Sequence, residues 1–199
     1  MPGHRLPRSG EWKSRVIDGA DQPVAVWIGR MHPYHLGHFR ILERSLQVLP
    51  TEHLVAFVCT EFGSASHGPF DVFAPNERRT MLSLILAAEG LASRVDSVFV
   101  PKFDEPRWGL LRPFLPRRTV RCTSNKDASD LRRVEVWKRL GWETALIDVS
   151  DLEVVTSTEL RGSLGAGAGW KRFLHPATHD FFADIDGPSR MVPPPGRIR

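Results

Sequence analysis

The sequence predicts an open, doubly wound α/β domain of Rossmann-like kind, built on a parallel sheet of about five strands. Three observations carry this. Short Val-rich runs recur along the chain with nearly continuous apolar character, as strands do when both faces of a sheet are covered. Between them lie stretches with apolar residues at helical spacing. The two patterns alternate, which is the order that builds a parallel sheet.

Taken in order, the first strand is 23–29 (PVAVWIG), leading into GRMHPYHLGH, Gly29 to His38. Ile41, Leu42, Ser45, Leu46 and Leu49 then mark a helix over 38–49. The second strand is 53–60 (HLVAFVCT), followed by a long loop over 61–75, and loops of that length are often functional. Asn76 is the expected N-cap of a helix over 77–88, with Met81, Leu84, Ile85 and Ala88 facing the core. Strands over 95–102 and 119–124 come next. A helix then runs over 129–140, with Leu131, Val134 and Trp137 inward and Gly141 as its stop. The fifth strand is 144–149. GAGAG, 165–169, reads as a hinge or turn, and the chain from Gly187 onward as a disordered or polyproline-like tail. The expected organisation is an N-terminal tail 1–22, a domain 23–183 and a Pro/Arg-rich tail 184–199.

Composition narrows the functional classes. Hydrophobic residues make up 41% of the 199, and charged residues 25%, values of a globular protein. No apolar window is long enough for a spanning helix, and the N-terminus lacks the apolar run of a secretory signal, so no membrane partner is expected. Cys59 and Cys122 stand alone in strand patterns without a CxxC, which suits a reducing cytoplasm. The formal charge is +4, yet residues 23–183 carry 20 basic against 18 acidic side chains. There is no basic stripe for nucleic acid, so anion binding must be local.

The first strand-to-helix turn is where such binding is expected. His35 and His38 are spaced i and i+3 at a helix start, so both project from one side. Gly37, without a Cβ, lets a ligand approach the backbone. The helix N-terminus adds unpaired N–H groups and the positive end of a dipole. Together these make a phosphate cradle, with Arg30 as a fixed cation and Met31 to Tyr34 wrapping the near side. The rival readings are cap histidines of structural use only, and a metal site, for which no third ligand stands nearby.

GRMHPYHLGH resembles the H-x-G-H signature of the nucleotidyltransferase superfamily. It is closest to the opening motif of nicotinamide mononucleotide (NMN) adenylyltransferases of the archaeal and Nudix-fused type. VVTSTELRGSL, Val154 to Leu164, resembles the superfamily's second phosphate motif. Its Thr156 and Glu159 form a capping box, which leaves Arg161 unexplained unless an anion sits there. FDVFAPNERRTML, VPKFDEPRW, TSNKDASD and WKRFLHPATHDFF extend the resemblance over 24–182.

The resemblance implies adenylyl transfer from ATP to NMN, giving NAD and pyrophosphate, with Mg²⁺ held mostly by ATP and water. It assigns catalysis to His35, His38 and Arg161. It places Gly29, Arg30, Met31, Gly37, Asn125, Ser157 and Thr158 around the nucleotides, and stacks Trp108 on the nicotinamide ring. This sequence departs from the family at His32, usually glutamine, in a loop 61–69 without basic residues, and at Phe70, where many members place an ATP-binding arginine. Arg78, Arg79 and Lys126 are the cations left to replace that charge. Nicotinate mononucleotide or phosphopantetheine as acceptor, a sugar or polyol phosphate with CTP, and a non-catalytic NAD- or ATP-sensing module stay open. So does a homo-oligomer, since relatives are often assembled. An aminoacyl-tRNA synthetase is excluded by the missing KMSKS motif and tRNA-binding extension.

Overall fold

The computed structural model describes residues 23–49, 51, 53–60, 72–101 and 118–192. Five parallel strands form one sheet: β1 (Val24–Gly29), β2 (Leu54–Thr60), β3 (Val95–Pro101), β4 (Thr119–Ser124) and β5 (Glu143–Ile147). Their spatial order is β3-β2-β1-β4-β5, so the winding reverses at β1, which pairs with β2 on one side and β4 on the other. The register sets Val26 beside both Val55 and Arg121. The carboxyl ends of β1 and β4 therefore open side by side. A crevice forms at such a reversal because the connections leave in opposite directions. This bears out the expected doubly wound parallel sheet.

Helix α1 (Leu36–Val48) buries Ile41, Leu42, Ser45 and Leu46, the face its spacing predicted. Buried Ser45 is tolerated because its hydroxyl donates to the Ile41 carbonyl, 2.7 Å away. Helix α2 (Pro75–Ala88) differs from expectation. Its N-cap is Ala74 rather than Asn76, because Pro75 suits the first helical position and Glu77 reaches back to the Ala74 N–H at 2.7 Å. Its inward face is Met81, Leu82, Ile85 and Leu86, continued by Arg78, while Ala88 is exposed. Helix α3 (Ala128–Arg139) turns Val134 and Trp137 inward but leaves Leu131 exposed. Asp130 takes the buried place, receiving the Ser124 hydroxyl at 2.9 Å and Arg133 at 2.6 Å. Gly141 ends this helix as expected. At φ +74° it adopts the left-handed conformation, and the Trp142 N–H closes on the Trp137 carbonyl.

Helices α1 and α3 both pack on β4 and β5 and so cover the sheet from its two faces, while α2 packs on β2 and β3. Arg121 lies inside β4, fully buried, its guanidinium 3.9 Å from the Trp137 ring and 5.5 Å from Trp142. Helix α4 (Ser157–Gly165) follows β5. GAGAG is a cap rather than a hinge, since Gly167 at φ +67° lets the Ala168 N–H reach the Ser163 carbonyl. Two 3₁₀ turns, Lys171–Phe173 and Pro176–Thr178, lead to α5 (His179–Asp184) and α6 (Gly187–Met191). The expected disorder from Gly187 does not hold for 187–192. Met191 is buried, and a Cβ on Gly187 would lie 2.5 Å from the Phe182 ring, so this glycine permits α6 to pack. The expected tail 1–22, most of the loop 61–75, Phe70 and Trp108 lie outside the described residues.

Candidate active site

The loops after β1, β4 and β5 meet at the crevice. The first begins under constraint. Arg30 follows the strand directly, and Met31 is left-handed at φ +56° while 1% exposed. A non-glycine residue in that region costs about 1–2 kcal/mol, so its surroundings must hold it. Gly29 is part of the reason the turn fits. A Cβ there would press on Trp27 at 3.3 Å and on Met31 at 3.4 Å. The buried Arg78 of α2 donates to the Arg30 carbonyl, and the Phe73 N–H points at Nδ1 of His32 at 3.5 Å.

His35 is the N-cap of α1 and His38 is the third helical residue. Nδ1 of His35 accepts from the His38 N–H, and Nδ1 of His38 accepts from the His35 N–H, each at 3.4 Å. The rings stack with centroids 3.7 Å apart, and Trp27 and Tyr34 stand 5.6 Å and 5.5 Å from His38. Burial first, then Lys126 and Arg161, push His35 down to about 3. Burial, His35 and Lys126 hold His38 well below the usual imidazole value of 6.5. Both rings are therefore neutral at pH 7. With Nδ1 accepting, the proton of each neutral ring sits on Nε2. The reciprocal cap and the functional reading are not rivals. The cap fixes the proton of each ring on Nε2, and His38 also hydrogen-bonds the Pro33 backbone.

Gly37 has a different use from the one expected. A Cβ there would overlap the Val155 carbonyl oxygen, so the close approach it permits is that of the chain entering α4. Thr156 caps α4, taking the Glu159 N–H at 3.2 Å, and Glu159 returns to the Thr156 N–H at 2.6 Å. The amides of Ser157 and Thr158 precede the first intrahelical bonds and are the ones left for an anion. Arg161 reaches back to the Thr158 hydroxyl at 3.1 Å, which turns its guanidinium toward the helix start. Burial and then the charge of Arg30 lower its pKa from the ordinary value, which puts Arg30 on the same side.

Asn125, at the end of β4, spans the two loops beside it. Its amide nitrogen donates to Asp148 at 2.7 Å and its oxygen accepts the Val149 N–H at 3.0 Å. Hydrogen bonds from Ser150, then from Asn125, hold Asp148 at about 2. The side chain thus joins the loops after β4 and β5. Of the three cations left to replace the missing arginine, Arg78 is buried under the turn and Arg79 lies 4.6 Å over the Phe99 ring. Lys126 is exposed and acts on both histidines. It was expected only as one of three replacement charges, although its place just after β4 is where ligands gather. Among the described residues no three His, Cys, Asp or Glu side chains gather as metal ligands, and no helix is long and apolar enough to cross a membrane.

Residues 26–163 match the cytidylyltransferase-like family. The chain is 30% identical over 169 residues to the nicotinamide-nucleotide adenylyltransferase of Picrophilus torridus, spanning 82% of this chain and 92% of that protein. It is 25% identical over 170 residues to the protein of the same name from Thermococcus onnurineus, covering 83% and 85%. In structure it resembles the bifunctional NMN adenylyltransferase/ADP ribose pyrophosphatase of Francisella tularensis, with TM-score 0.65 and 18% identity over 85% of this chain. It spans about half of that longer protein, 51% of its length. Two helix starts that meet at Gly37, at the reversal of a parallel sheet, agree with these likenesses: the chain belongs to the cytidylyltransferase-like family, among relatives that include the archaeal nicotinamide-nucleotide adenylyltransferases.

Proposed function

We propose that this protein is a cytoplasmic nucleotidyltransferase that moves the adenylyl group of ATP onto NMN, giving NAD and pyrophosphate. The observation that carries the reading is the pair of neutral histidines, their Nε2 protons outside the reciprocal cap, on a helix start that meets the chain entering α4 at Gly37 and feels the charges of Lys126 and Arg161, with Arg30 acting on Arg161 in turn. Neutral donors and fixed cations suit a reaction in which charge builds on phosphate oxygens without a covalent enzyme intermediate.

A phosphate oxygen of NMN attacks the α-phosphorus of ATP while the bond to the β-phosphate bridge breaks. His38 donates to the α-phosphate as charge develops there, with His35 stacked beside it. The amides of Ser157 and Thr158 and the guanidinium of Arg161 receive the departing β- and γ-phosphates. Lys126 supplies charge that the family usually draws from an arginine in the loop after β2. Mg²⁺ would come with the triphosphate and neutralise charge on its oxygens, held mostly by ATP and water. Asn125 holds the loops after β4 and β5 in register around the nucleotide, and Gly29 and Met31 shape the turn beneath it.

The test is incubation with MgATP and NMN, nicotinate mononucleotide or phosphopantetheine, with the dinucleotide product identified by mass. NAD from NMN supports the reading. Product only from another acceptor contradicts it, as does nucleotide binding without turnover.

A further inference from the structure

Helix α6 lies beyond the residues that match the family, and the phosphate chemistry above makes no use of it. Its Arg190 nevertheless grips the segment that precedes α2. The guanidinium makes a bidentate pair with Glu77, both bonds at 2.8 Å, and donates also to the Val72 and Ile185 carbonyls. It lies 4.8 Å over the Phe73 ring. Glu77 already caps the Ala74 N–H, so the start of α2 does not need Arg190 for its own sake.

The gripped segment is also the one that holds the phosphate turn. Phe73 meets His32 through its N–H and by ring stacking, and Arg78 takes the Arg30 carbonyl. These are the residues on either side of left-handed Met31, five and three positions before His35, the N-cap of α1. We propose that Arg190 is a positioning residue for the phosphate turn: it clamps residues 72–77 so that Phe73 and Arg78 hold Arg30 to His32 in the conformation that aims His35 and His38. Exposed ion pairs do little. This one is bidentate, only 30% and 24% exposed, and backed by two carbonyls, which gives it the geometry to fix a segment rather than decorate it. The inference rests on the proposed function for its catalytic consequence, but its structural part stands apart from it.

The experiment compares wild type with Arg190→Ala, Arg190→Lys and Glu89→Ala. Glu89 pairs with His175 at the opposite end of α2, at 2.9 Å, so its loss weakens the same helix while leaving the Arg190 contacts in place. Turnover of MgATP and NMN is read with amide hydrogen exchange over residues 30–38. In Arg190→Ala, kcat is expected to fall about tenfold or more, as small misplacements of reacting groups do. Exchange over 30–38 and 72–78 should quicken while the sheet stays protected. Lysine should recover part of both, since it bonds one carboxylate oxygen at a time. Glu89→Ala should lower Tm without the loss of kcat.

Unchanged exchange over 30–38 in Arg190→Ala overturns the proposal, as does acceleration spread evenly over the sheet. An equal kcat loss in Glu89→Ala also overturns it. Should Arg190→Ala not fold, Arg190→Lys carries the same comparison. Absence of wild-type turnover would count against the adenylyltransferase reading alone, because the exchange measurement still decides the clamp.

Discussion

A neutral imidazole donates from one nitrogen and accepts at the other, and His35 and His38 spend their acceptors on each other's backbone. Replacing His38 by alanine removes the donor proposed for the α-phosphate, so kcat is expected to fall about 10²-fold or more with folding intact, measured by steady-state turnover and circular dichroism. A variant keeping most of its kcat would remove His38 from the mechanism. The same burial has a cost at acid pH. Both folded-state values lie below the ordinary 6.5, so the unfolded chain takes up protons that the folded pair refuses. Their stabilising contribution is complete above that value and is lost as pH falls below it, for His35 down to about 3. The slope approaches about 1 kcal/mol per pH unit for each histidine. Urea unfolding at about pH 7 and about pH 5 should show this loss, and a His35→Asn/His38→Asn double variant should show less of it. Equal slopes for the two proteins would contradict the buried neutral pair.

At the scale of elements, the site is a junction of α1 and α4, and Gly37 is where they touch. Alanine in place of glycine normally gains about 1 kcal/mol within a helix. Here the Cβ would overlap the Val155 carbonyl, a backbone atom that can yield only by moving the chain into α4. The overlap outweighs the propensity gain. Gly37→Ala is expected to lose about 1–3 kcal/mol and, on the proposed function, to raise KM for ATP, because the starts of α1 and α4 are driven apart. Unchanged Tm and KM would show that the junction is looser than the packing implies. Arg161→Ala should weaken pyrophosphate binding, measured by calorimetry, far more than it alters Tm, since Arg161 is half-buried and donates to the exposed Thr158 at the helix start. Equal loss on both counts would make it a structural residue.

At the scale of the whole molecule, strand order follows from the alternation of short apolar runs and helices, and the sequence patterns located all five strands within two residues. Burial was harder to read wherever a polar side chain took a core place. Arg78, one of three cations considered for the missing phosphate charge, instead braces the turn. Asp130 displaces Leu131 from the inner face of α3 because Ser124 and Arg133 satisfy it. Helix α6 was hidden by neighbouring prolines, since its hold on the domain comes from Arg190 pairing with Glu77, 113 residues away, which no local pattern records. The histidine turn was legible because its spacing alone dictates a shared face. Gly37 was assigned to the right place for a different reason, as its neighbour Val155 arrives from the far end of the sheet. The direct test of the account is the rate of pyrophosphate release from MgATP with NMN, in wild type and in His38→Ala. NMN-dependent release in wild type, reduced about 10²-fold in the variant, is the predicted result. Release that ignores NMN, or that survives in the variant, would contradict it.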